Sequence, residues 1–149
     1  MFKNILLLVD ATEKSAAATA TAIELAKEWK AELIAVSVVD TATLKELLTY
    51  KIMVPDEMAE YERDLELTAQ RQLAHVEEQA RKTKIDVTPV QKKGSIHGVV
   101  LAEQSSRKVD LIILSAFRPS LVQRDLLARE KQLILDEAAC EVLIVKRRV

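Results

Sequence analysis

Residues 4–10 read Asn-Ile-Leu-Leu-Leu-Val-Asp, and this stretch decides the fold. A strand with one wet face alternates apolar and polar side chains. Five apolar residues in succession, Ile5 to Val9, instead describe a short strand covered on both faces, as in a parallel sheet flanked by helices. The same signature returns at Glu32–Val39, where Leu33, Ile34, Val36, Val38 and Val39 dominate, at Val109–Leu114, and at Glu141–Lys146. A further strand near Asp86–Lys92 carries Pro89, which has no N–H for a ladder, so this strand is expected at a sheet edge.

The segments between these strands carry helical spacing. Ala18, Ala22, Leu25, Ala26 and Trp29 lie three or four residues apart after the first strand, and Met58, Tyr61, Leu65, Ala69, Leu73, Val76 and Ala80 do so over Asp56–Lys82. Gly94 and Ser95 open another helix, with Ser95 as its N-cap, and Pro119 suits the first turn of a last helix running to about Ala138. From Thr41 to Pro55 the pattern is weaker. Leu44, Leu47 and Leu48 give one or two helical turns closed by Pro55, in what reads as a variable insertion. Strict alternation with short connections requires right-handed crossovers, hence a five-stranded parallel sheet between two helical layers. The 149 residues contain no solenoid-type repeat or Pro/Gly-rich linker, so residues 1–149 are expected to form a single domain.

Composition narrows the function. The 22 basic and 23 acidic side chains nearly cancel, so no global field recruits nucleic acid or an anionic membrane. Every apolar run falls far short of the roughly 20 residues a spanning helix needs. Cys140 is the only cysteine, which excludes intrachain disulfides, and the N-terminus shows no export signal; a cytoplasmic protein is expected.

In an open parallel sheet, ligands bind beyond the carboxyl ends of the strands, where the strand order reverses. Asp10–Thr12, Ser37–Asp40 and Ser115–Arg118 fall there. Asp10 has two readings: it serves a ligand, by accepting hydrogen bonds from a ribose or an adenine amino group or by holding a metal through water, or it caps the first helix. The remaining inventory is thin. His75 sits among charges on the long helix, His97 lies in a first helical turn where the dipole disfavours its cation, and Cys140 reads as a small core thiol. The HExxH, paired CxxC and GxSxG patterns are absent, and two glycines are too few for a glycine-rich loop, so no catalytic machinery is expected.

Three stretches carry a family resemblance: FKNILLLVDAT at the start, SVVD closing the second strand, and DLIILSAFRPSLVQRDLLAREKQLILDEAACEVLIVKRR at the end. In these the chain resembles the universal stress proteins over essentially its whole length. The resemblance implies a three-layer α/β/α sandwich, Rossmann-like and similar to the adenine nucleotide alpha hydrolases, with strand order 3-2-1-4-5. Members that bind ATP carry G-x2-G-x9-G-[ST] after the fourth strand, whose glycines let backbone N–H groups approach phosphates. Here those places hold Ser115, Arg118, Ala128 and Arg129, so no cofactor is expected. The alternative is ATP bound at a modified site. Asp10 and the backbone near Val38 would then recognise adenine, with Ser115, Arg118, Arg124 and Arg129 near the phosphates. The resemblance also implies a homodimer paired through Val142, Leu143, Ile144 and Val145 of the last strand, and a role in stress adaptation through an unidentified protein partner.

Overall fold

A computed structural model describes residues 1–118 and 125–146 of the chain. In sequence order the elements are β1 (Asn4–Leu8), α1 (Ser15–Trp29), β2 (Glu32–Asp40), α2 (Thr41–Thr49), α3 (Pro55–Lys82), β3 (Val87–Gly94), α4 (Ile96–Ser106), β4 (Leu111–Ser115), α5 (Leu126–Glu137) and β5 (Glu141–Val145). All four strand pairings are parallel, and the order is β3-β2-β1-β4-β5. The central position of β1 explains its unbroken apolar run, since Ile5, Leu6, Leu7 and Leu8 must each enter one of two dry layers.

Alternation along each strand then divides the core. Ile5, Leu7, Leu33, Ala35, Leu111 and Ile113 face α1 and α3, packing on Ala18, Ala22, Leu73 and Val76. Leu6, Leu8, Ile34, Val36, Ile112 and Leu114 face α4 and α5, packing on Val100 and Ile134. The alanine-rich stripe of α1 lets that helix lie close to the sheet. Pro89 sits on edge strand β3 in register with Ala35, as its missing N–H requires.

Local chemistry accounts for the helix ends. Ser95 caps α4 by accepting from the Gly98 N–H at 3.1 Å, as the sequence predicts. Asp125 caps α5 in the same way through Ala128 N–H at 3.0 Å. Pro119, expected in the first turn of that helix, lies outside the described residues. Two expectations change. Asp10 does not cap α1, whose N-cap is Lys14 with no side-chain bond. Pro55 does not close the insertion helix; α2 already ends at Thr49, and Pro55 instead starts α3, where its fixed φ and missing N–H suit a first turn.

Candidate functional site

The register leaves a cleft at the carboxyl end of the sheet. Leu8 pairs with Val36 and Leu7 with Ile113, so β1 stops while β2 continues to Asp40 and β4 to Ser115. Val9 extends the pairing by one bond, its N–H donating to Val36 O at 2.8 Å. Asp10 therefore stands at the mouth between two strands that run on past the end of β1, where the strand order reverses.

Its carboxylate is fully engaged inside the protein. One oxygen, Oδ1, accepts from Thr12 N–H at 2.8 Å and from Thr12 Oγ1 at 2.5 Å. The other, Oδ2, accepts from Ser115 Oγ at 2.6 Å and lies 2.9 Å from Lys131 Nζ. Lys131 reaches in from α5 and also donates to Ser115 Oγ at 2.6 Å and to the Ser115 carbonyl at 3.3 Å. The two charged side chains are only 1% and 5% exposed, so this is an ion pair within the fold. Burial alone would raise the Asp10 pKa. The Lys131 ammonium and the hydrogen bonds from Ser115, Thr12 and Lys131 together outweigh it and hold the carboxyl below its ordinary value. Among the described residues no fully buried side-chain nitrogen or oxygen lacks a partner.

On the β2 side of Asp10 the cleft stays open, as a cavity of about 270 Å³. Its walls include Leu8, Val38, Leu65, Ala69, Ile96 and Leu127. Several polar side chains of the lining are used internally, although Thr68 and Gln72 also border the cavity. Asp40 caps α2, with Oδ1 accepting from Thr43 N–H at 3.1 Å and Oδ2 from Thr43 Oγ1 at 2.7 Å, and the Ser37 hydroxyl donates to Gln72 Oε1 at 3.3 Å.

The fold thus brings Asp10 and Ser115 into contact and places Asp10 and Val38 on the lining of one cavity. Arg118 and Arg129 point to solvent, and Arg118 borders a separate cavity of about 360 Å³ with Thr12 and Lys131. Arg124 lies outside the described residues. Lys131 is the residue that the sequence reading missed. A signal existed: Ala128, Lys131 and Ile134, spaced by three, are the buried residues of α5, so a lysine interrupts an apolar stripe.

The other reactive side chains have structural partners. His97 Nδ1 pairs with Glu130, whose Oε2 also accepts from His97 N–H at 3.4 Å, tying α4 to α5. Burial, reinforced by Asp110 and Glu141, pushes the Cys140 thiol up and keeps it protonated. His75 is exposed. Among the described residues no group of three His, Cys, Asp or Glu side chains could hold a metal, and no helix is long and apolar enough to cross a membrane.

The sequence model of the universal stress protein family matches residues 1–146. The chain belongs to the universal stress protein family. Similar curated universal stress proteins include a putative one from Staphylococcus haemolyticus, 26% identical over 149 residues, covering 97% of this chain and 85% of that one. Another, from Methanocaldococcus jannaschii, is 26% identical over 150 residues, with 99% and 84% covered. Among solved structures, the universal stress protein UspA of Lactobacillus plantarum superposes with a TM-score of 0.76 at 20% identity, covering 97% of both chains. A universal stress protein solved in complex with cAMP superposes at 0.72 with 16% identity, again over 97% of both. These superpositions establish that the universal stress proteins share this chain's fold.

Proposed function

We propose that this universal stress protein is a cytoplasmic, non-catalytic homodimer that acts in stress adaptation by binding other proteins and does not bind ATP. One observation carries the reading: the Lys131 ammonium lies between Asp10 and Ser115 at the point where the strand order reverses. A carboxylate already neutralised by a buried lysine and two hydroxyls offers little to a ribose or a base. Where ATP-binding relatives carry glycines, Ser115, Arg118, Ala128 and Arg129 add side-chain bulk. Ser115 itself is buried and spends its hydroxyl on Asp10. A buried serine, a protonated thiol and a histidine bound to glutamate provide no nucleophile or base open to a substrate.

The dimer rests on β5. It forms one edge of the sheet, and Val142, Leu143 and Ile144 remain partly exposed along it. A second copy of the strand, paired about a two-fold axis, would cover that edge.

A second reading, a nucleotide sensor, is favoured by the cavity that borders both Asp10 and Val38 and by the cAMP held by one structural relative. Calorimetric titration with Mg-ATP and with cAMP separates the two. The first reading expects no saturable heat up to millimolar nucleotide; saturation at micromolar concentration would establish the second instead.

A further inference from the structure

We infer that the open half of the cleft is a binding site for an uncharged, largely apolar small molecule, of the size of a two- or three-ring aromatic. This goes beyond the protein-binding role proposed above and rests on the same placement of Lys131.

The cavity of about 270 Å³ is the size of a small ligand, and it lies at the carboxyl ends of the strands, where open α/β sheets bind their ligands. Its walls come from separate parts of the chain: Val38 from β2, Leu65 from α3, Ile96 from α4, and Leu126 and Leu127 from α5. All five side chains are only partly buried, although each belongs to an element packed on the core. Scattered single apolar residues on a surface need no explanation, but five that converge on one concavity leave apolar area that an apolar occupant would remove from water.

The charges on the lining determine which occupants are accepted. The Asp10 carboxylate is cancelled by Lys131. Asp40 accepts from Thr43 and forms no ion pair among the described residues, so the formal charge left over is negative. An anion entering here would lose water, meet no cation across the cavity, and face Asp40. The hydroxyl of Ser37 and the carboxylate of Asp10 already have their partners, which leaves Thr68 and the Gln72 amide nitrogen as the lining side-chain donors, so a richly polar ligand would leave most of its own groups unpaired. A neutral aromatic or aliphatic molecule avoids these costs.

Two fluorescent probes that share one skeleton test this directly. N-phenyl-1-naphthylamine is neutral; 8-anilino-1-naphthalenesulfonate adds a sulfonate to the same two-part aromatic frame. Each is titrated into the full-length protein, and its emission is followed. The neutral probe is expected to saturate at one per chain, and the sulfonate to bind at least about tenfold more weakly despite its equal apolar area. Leu65→Trp, which adds bulk at the half-buried rim where the fold can tolerate it, is expected to weaken the neutral probe by about tenfold or more, because it fills the cavity. Leu67→Ser, on the exposed side of α3 and outside the lining, leaves it unchanged. Circular dichroism of Leu65→Trp verifies that it is folded, and Ala69→Leu provides a second filling variant.

Absence of saturable binding of the neutral probe overturns the inference. So does equal affinity for the sulfonate, or binding that neither filling variant weakens. A parallel titration with Mg-ATP keeps the two proposals apart. Saturable ATP binding contradicts the proposed function, whereas failure of the neutral probe with no ATP binding contradicts this inference alone.

Discussion

The two sides of Asp10 are built from opposite materials. Toward β4 the cleft is charged: Asp10, Thr12, Ser115 and Lys131 saturate one another, and the ion pair is almost dry although Thr12 and Lys131 also border a cavity of about 360 Å³. Toward β2 it is apolar and open, with Val38, Leu65, Ile96 and Leu127 around unfilled space. The same strand tip serves both. The contrast shows how one strand tip can border two chemically different surroundings. A long cation threaded in from α5 neutralises the carboxylate on one side, while the space on the other side stays open.

The largest effect is expected on the charged side. Replacing Lys131 by methionine keeps most of the side-chain volume but leaves Asp10 buried without a counter-charge, at a cost of about 3–5 kcal/mol of stability. Chemical denaturation followed by circular dichroism reads this as an earlier midpoint. A cost under about 1 kcal/mol would mean that water reaches the carboxylate, and the contrast between the two sides would weaken.

Acid provides a gentler probe of the same side. Asp10 and Glu103 both sit below the ordinary carboxylate value; for each, burial works against the shift and neighbouring cations and hydrogen bonds outweigh it, with Lys92 and Arg107 doing so for Glu103. A group whose folded-state pKa is depressed contributes stability that is complete above its unfolded value, about 4. That contribution is lost as the pH falls through the depressed folded value. Thermal melts from pH 6 down to pH 2 are therefore expected to show stability falling below about pH 4, and the fall is shallower in Asp10→Asn. An equal acid dependence in that variant would remove Asp10 from the account.

The smallest effect belongs to the open side. Leu65 is only partly buried and borders open space, so Leu65→Ala is expected to cost less than the roughly 2–5 kcal/mol typical of a fully packed leucine. A cost in the packed range would show that the cavity wall is part of the core.

The strands were legible because a central parallel strand has few alternatives: Ile5 to Val9 could not be amphipathic, and Pro89 could sit only at an edge, whereas the full order of the sheet came with the family resemblance. Ser95 was legible as a cap for the same reason, as its chemistry acts over three residues. Pro55 misled because a proline can end one helix or begin the next, and only the packing of α3 decides which. Asp10 was correctly placed at a strand tip, but its role depends on a partner 121 positions away, in contact through the fold and not through spacing. Lys131 was visible only as an interruption in an apolar stripe. Sequence shows that such a residue is buried or misplaced, but not which carboxylate receives it.

The double-mutant cycle of Asp10→Asn and Lys131→Met measures the central pair most directly, because it removes the common background of each substitution. If Asp10 and Lys131 neutralise each other inside the fold, the double variant will be less destabilised than the sum of the single variants, with a coupling of about 2 kcal/mol or more. Additivity within about 0.5 kcal/mol would contradict the account, since the two charges would then be independent and the carboxylate of Asp10 free for a ligand.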